Sequence, residues 1–306
     1  MNTASEVREP LSLVSAHRVF SFGRAAAITA NTLTELTRLK VFYVILGFAL
    51  LLIGNSAFMA RMTFQQEFQV LKDIALGSIS VLTSLLAVVA TARLLPQDLE
   101  DRTVYTILAK PVSRFEYLLG KLAGVLLLLA ISTAVMASLF FLVLYVREQS
   151  VLHETARQMA RAPAEQLSDA LRSVREAGFN ANLLPGLGVI YLKACVLASL
   201  TLFVSTFATT NIFTVVTMLF VYFIGHLQGT AREYWLQTNG GGTITRGLLA
   251  FIALVFPDLQ IFNLVDDIVA GTAIPAAIFE RTALLGTFYT TVYLLLALAV
   301  FARKEL

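Results

Sequence analysis

Six stretches of this chain are apolar over about twenty residues each, and that spacing decides most of what it can become. Val41–Ala60, Ile74–Leu95, Leu119–Tyr145, Leu187–Phe207, Ile212–Gly229 and Ala283–Phe301 each have the length a helix needs to cross a hydrocarbon layer of roughly 30 Å. In lipid a backbone must satisfy its own hydrogen bonds, and single runs of this length do so as helices. The expected fold class is therefore all-α: a polytopic membrane protein with six transmembrane helices. The overall balance agrees. Of 306 residues, 57% are hydrophobic and 14% charged, against about a quarter charged in soluble domains. Mean hydropathy is +0.76.

The remaining segments fall between these spans. Leu248–Phe256 is apolar but stops at Pro257, too short to cross, so 247–280 reads as a re-entrant or interfacial segment in which it pairs with Leu264–Phe279. Residues 1–40 form a cytosolic N-terminus. Within them His17–Lys40 suggests an amphipathic interfacial helix, with Arg18, Arg24, Arg38 and Lys40 toward anionic lipid and Phe20, Ile28 and Leu36 dipping inward. An ordinary lead-in to the first span is the alternative. No signal peptide is expected, because Glu6 and Glu9 sit early and no apolar core precedes Val41. Lys and Arg near the spans place both termini inside, by a modest bias. Residues 146–186 are then an outer helical loop. Leu167, Ala170, Leu171 and Val174 repeat at helical spacing, Pro163 restarts the helix and Gly178 ends it. This loop is either a lid or a solvated spacer. Small residues at helical spacing (Ala130, Ala134, Ser138; Ala194, Ala198; Gly120 and Gly124; Gly225 and Gly229) read as helix packing.

Pro96–Lys121 is the most charged and patterned stretch between two long apolar runs. Leu99, Val104, Ile107 and Leu108 share one side of a helical period, with Asp98, Glu100, Asp101 and Arg102 largely opposite. Pro111 ends that short helix. Ser113-Arg114-Phe115-Glu116 has the pattern of a capping box opening the next helix, which runs straight into Leu119–Tyr145. A polar helix and turn pinned to a membrane helix suit the reception of force from the aqueous side.

Several chemistries have no residues to carry them. No G-x-x-x-x-G-K-[ST] occurs, so the chain has no P-loop, and Gly120-Lys121 is only a fragment of one. His153-Glu154 begins like a zinc-protease helix but has Arg157 where the second His belongs. With three His and one Cys, neither a catalytic metal cluster nor an intrachain disulfide is expected, and Cys195 reads as a small apolar group. The net charge of +3 and the absence of a basic run argue against nucleic acid. No Asp or Glu falls within the six spans, which disfavours an ion-coupled relay and with it a secondary transporter. A candidate substrate path comprises Asn55, Thr133, Lys193, Thr217, Tyr222 and His226. Of these, Lys193 is also close enough to a span end to snorkel outward, and His226 to an interface to be merely hydrogen-bonded there.

Glu100-Asp101-Arg102-Thr103, Ile107-Leu108-Ala109-Lys110-Pro111-Val112-Ser113-Arg114 and Glu116-Tyr117-Leu118-Leu119-Gly120-Lys121 together resemble the cytosolic signature of type-2 ABC transporter permeases, in spacing and in order. Ala109-Lys110 is a small departure. Glu35–Lys40, Pro257–Asn263 and Phe301–Lys304 extend the resemblance, so 41–306 is expected to be one permease transmembrane domain. The resemblance implies a multi-pass subunit of the bacterial cytoplasmic (inner) membrane, with no ATPase site of its own. It would pair with a separate ABC ATPase subunit, which holds the ATP and Mg, and with a second permease copy or a related permease. This chain would bind no cofactor, and its other partner is membrane lipid. In the resembling exporters the loop at 96–121 carries a coupling helix seated on the ATPase. That role would fall here to Leu99, Glu100, Asp101, Arg102, Thr103, Val104, Ile107, Leu108, Pro111, Ser113, Arg114 and Glu116. The expected function is a permease subunit of an ABC exporter. The alternative is an ATPase-coupled module that transmits force across the bilayer without carrying a substrate, with the outer hairpin as its working surface. A mildly hydroxylated interior leans toward lipid-linked or amphipathic cargo.

Overall fold

Apolar helices in lipid gain nothing from hiding their side chains from water, so their packing rests on shape, small residues and the few polar contacts they can make. The computed structural model describes residues 20–61, 66–101, 112–161, 163–237, 257–272 and 274–303. Among these every regular element is helical. In chain order they are α1 (Phe22–Thr37), α2 (Lys40–Arg61), α3 (Glu67–Ala92), α4 (Leu94–Glu100), α5 (Arg114–Gln158), α6 (Ala164–Gly178), α7 (Leu183–Phe207), α8 (Asn211–Gln237), a 3-10 turn at Leu259–Phe262, α9 (Val265–Ala270) and α10 (Ala276–Arg303). Six helical stretches are long and apolar enough to cross a membrane, and each contains one of the six runs read from the sequence, the fifth to within a residue. The protein is an all-α, multi-pass membrane protein.

α7 is the centre of the bundle. It is apolar around its whole circumference, and Ile190, Ala194, Leu197, Ala198 and Leu202 are all buried. α10, α3 and α5 pack round it, with α8 touching it and α3. α2, α8 and α10 lie outside and present Leu51, Phe220, Leu227, Leu284 and Phe288 outward. The small-residue stripes divide accordingly. Ala194 and Ala198 are buried in α7, whereas Ala134 and Ser138 on α5 are exposed on this chain.

α5 fixes the long dimension. Its 45 residues make a rod of about 67 Å, twice the hydrocarbon thickness, so its ends must project. One end of the bundle carries α1 and α4, the other α6 and α9. At the α6 end Arg147 of α5 pairs with Glu67 of α3, and Lys72 donates to the Ala177 carbonyl at 2.8 Å. α6 begins after Pro163, and Leu167, Ala170, Leu171 and Val174 form its half-buried stripe. Gly178 closes it against Glu148. Within 264–279 the backbone forms α9 and then enters α10 at Ala276. Leu248–Phe256 and Gly240–Gly242 lie outside the described residues.

α1 departs from the interfacial reading in one respect. Ala25, Thr32 and Leu36 are buried, and Arg24, expected to face lipid, turns inward to Glu116 of α5. The buried Glu116 carboxylate takes that guanidinium at 2.7 Å.

Candidate functional site

The first turns of α5 hold three other helices. Ser113 caps α5: its hydroxyl accepts from the Glu116 amide at 3.1 Å, while the Glu116 carboxylate accepts from the Ser113 amide at 2.8 Å. This reciprocal box satisfies two of the amides a helix start leaves free. The same carboxylate also reaches α1. It accepts from the Ser21 amide at 2.6 Å and from Arg24 Nη2 and Nε at 2.7 and 3.3 Å. Glu116 lies at the aqueous margin of α5, before the apolar run begins at Leu118. Arg24 chiefly, with the Ser113 and Ser21 amides, outweighs its burial and holds its pKa down at about 2.

One turn on, α4 is attached. Asp98 is buried, and Lys121 Nζ lies 2.7 Å from its Oδ2, to which the Tyr117 hydroxyl also donates. Burial and the neighbouring Asp98 carboxylate push the Tyr117 phenol well up, so it keeps the proton it donates. Lys121 lies 3.4 Å from Glu35 as well, adding the far end of α1 to the network. Arg114 completes the junction. Its Nη1 donates to the Phe301 and Ala302 carbonyls at 2.8 and 2.6 Å, where α10 ends and its carbonyls lack helical partners. Tyr117 and Phe301 stack with ring centroids 5.8 Å apart.

Close backbone approach lets α1 lie here. A Cβ on Gly120 would fall 2.8 Å from Ile28, and one on Gly124 2.7 Å from Thr32. The Thr29 hydroxyl bridges the gap, 2.9 Å from the Ala25 carbonyl and 3.2 Å from that of Gly120. The Gly120/Gly124 pair, read as packing, is therefore the seat of α1.

The expected coupling residues divide at the described boundary. Leu99 is half-buried, Glu100 and Asp101 are exposed, and Ser113, Arg114 and Glu116 sit in the junction. Arg102, Thr103, Val104, Ile107, Leu108 and Pro111 lie outside the described residues. α4 runs from Leu94 to Glu100, with Pro96 tolerated in its first turn, and holds only Leu99 and Glu100 of the expected coupling helix, whose remainder from Arg102 on lies outside the described residues. Sequence reasoning missed Arg24, Glu35, Asp98, Tyr117 and Lys121 as members of one cluster. One signal was available: Lys121 is the last charge before a long apolar run, so it required an acid nearby.

The candidate path residues do not form one wall. Lys193, Tyr222 and His226 come together where α7 and α8 meet α3. Asn55 is exposed on α2, Thr217 is half-buried, and Thr133 is buried in α5 with its hydroxyl unpaired among the described residues. Lys193 does not snorkel: it is buried and donates to the Ser80 hydroxyl. A separate cavity of about 640 Å³ at the α6 end is lined by Glu67, Lys72, Glu154, Glu176 and Gly271, among others.

No group of three or more His, Cys, Asp or Glu side chains that could hold a metal ion occurs among the described residues. What the arrangement offers is a connected junction, with α4 tied to α5 through Asp98, and α5 in turn to α1 through Glu116 and to α10 through Arg114. A family model described as ABC-2 family transporter protein matches residues 19–306. No curated protein matches the chain.

Proposed function

The chain belongs to the ABC-2 transporter family, and we propose that it is the permease subunit of an exporter driven through α4 by a separate ABC ATPase. The α4 end is then cytosolic, with both termini on that side, in the cytoplasmic membrane of a bacterium. The functional unit has two permease chains and two ATPases. The observation that carries this reading is the junction at the start of α5. Closure of the ATPases on ATP moves α4 with its exposed Glu100 and Asp101. Asp98 passes that motion to Lys121 and Tyr117, and so to α5. Glu116 and Arg24 carry it to α1, and Arg114 carries it to α10. Buried, multiply bonded contacts are stiff, so little of the displacement is lost in bending. Reversing Glu100 and Arg102 together (E100R/R102E) should weaken ATPase association and permease-dependent ATP turnover in a folded complex. Unchanged association and turnover would sink the assignment.

A second reading draws on α5 itself, one unbroken helix from the junction to the α6 hairpin. Here the chain transmits motion to the far side without carrying cargo. The two readings part on a simple pair of variants. A transporter loses activity when Thr217 is made bulky, and a force transmitter when the hairpin is removed.

A further inference from the structure

Four basic side chains are buried among the described residues: Lys72, Lys121, Arg147 and Lys193. Lys121 and Arg147 sit in ion pairs, and Lys72 donates to a carbonyl with Glu148 close enough to act on it. Lys193 has no such compensation. It lies about 15 Å along α7 from Leu183, is 2% exposed, and among the described residues meets only the neutral hydroxyl of Ser80. Desolvating an ammonium at that depth is costly, and a single hydroxyl does not offset it.

Its surroundings are rich in donors. Ser80, Thr83 and Ser84 share one face of α3 by helical spacing. Thr83 is fully buried and its hydroxyl has no partner among the described residues. Tyr222 of α8 lies within hydrogen-bonding reach of Ser84. His226, its ring centroid 4.3 Å from that of Tyr222, is near enough to feel the Lys193 charge. Tyr191 and Cys195 flank Lys193 on α7, Gln228 follows His226 on α8 with its buried Oε1 unpaired among the described residues, and Asp258 is close enough to act on His226; Leu192, Ala194 and Val196 beside Lys193 are apolar.

We propose that Lys193, with the Ser80 and Thr83 hydroxyls, binds the anionic head, carboxylate or phosphate, of an amphipathic substrate whose apolar part lies against α3 and α8. The site is closed in this conformation, and entry requires α8 to part from α3. The role as a substrate site rests on the transporter reading above; the binding itself does not.

The test uses the purified full chain in a neutral detergent, with native mass spectrometry to titrate dodecyl phosphate, laurate and dodecyltrimethylammonium. Wild type should bind at least one anion, and Lys193→Met should raise its Kd at least about tenfold, while Lys193→Arg stays within about threefold. The cation should bind no differently in the three proteins. A loss confined to dodecyl phosphate identifies a phosphate head, and one confined to laurate a carboxylate. Without ligand, Lys193→Met should melt at or above the wild-type temperature, because removing an uncompensated buried charge relieves a cost. Equal anion affinity in wild type and Lys193→Met, or no anion binding by wild type, overturns the proposal. So does a lowered melting temperature with anion affinity retained, which marks a purely structural lysine. Should Lys193→Met not fold, Ser80→Ala/Thr83→Val carries the test, weakening the anion about threefold and leaving the cation unchanged. Because no ATPase is present, failure of ATP coupling would sink the transport reading and leave this result standing.

Discussion

Glu116 accepts from four nitrogens, of Ser21, Arg24 and Ser113, while showing no surface. Its folded pKa of about 2 lies below the ordinary value of 4.5, so it stabilises the fold fully above about pH 4.5. That contribution is lost as pH falls from there toward 2. Glu116→Gln should therefore melt several degrees below wild type at neutral pH, with the gap closing as both are titrated from pH 5 toward 3. A gap independent of pH would mean that the carboxylate charge is not what holds α1. Asp98 and Lys121 make a complementary case. Lys121→Met leaves a buried carboxylate without its ammonium and should cost about 3–5 kcal/mol in thermal unfolding. The double variant Asp98→Asn/Lys121→Met removes both charges and keeps an acceptor for Tyr117. It should recover most of that stability. Its permease-dependent ATP turnover should fall below wild type, because one neutral hydrogen bond from Tyr117 ties α4 to α5 less stiffly than the ion pair did. Recovery of both together would show that the pair serves stability alone.

At the scale of elements, α1 depends on the two glycines of α5. Gly120→Ala or Gly124→Ala places a methyl under 3 Å from Ile28 or Thr32, and the backbone carbonyls behind them leave little room to yield. Each should cost about 1–3 kcal/mol and lift α1 from its seat, read as faster amide exchange across Phe22–Thr37 with α7 unaffected. Elements of this kind were legible to different degrees. The spans could be read because about twenty apolar residues in lipid admit one solution, and the capping box because Ser113 and Glu116 are three residues apart. The contacts that make the junction were not legible. Arg24 and Glu116 are 92 residues apart, and Glu35 and Lys121 are 86 apart, with no periodicity to connect them. A lone arginine on an amphipathic helix looks equally suited to lipid. Lys193 misled for a related reason: distance to the span end says a lysine can snorkel, but only the neighbouring helix decides whether it does.

At the scale of the molecule, the question is whether motion at the α4 end reaches the α6 end through α5 alone or through the whole bundle. α5 is continuous and long enough to act as a rod. It is not the sole route, since Arg147 pins its projecting part to Glu67 of α3, and α3 packs along α7. A hinge placed beyond the apolar run separates the cases. Tyr145 and Val146 are exposed, so Tyr145→Gly/Val146→Gly costs about 1 kcal/mol per residue in helix propensity and leaves the packing intact. Spin labels at Ser173 on α6 and Asp266 on α9 lie on helices that flank the cavity at the α6 end, and in the wild-type complex their separation should change on ATP binding. If the bundle carries the motion, as a transporter that opens between its spans requires, the glycine variant keeps both ATP turnover and that change in separation. If α5 alone carries it, turnover persists and the change disappears. The Arg147–Glu67 tie favours the first outcome, because it holds the α6 end to α3 whatever happens to the helix below it.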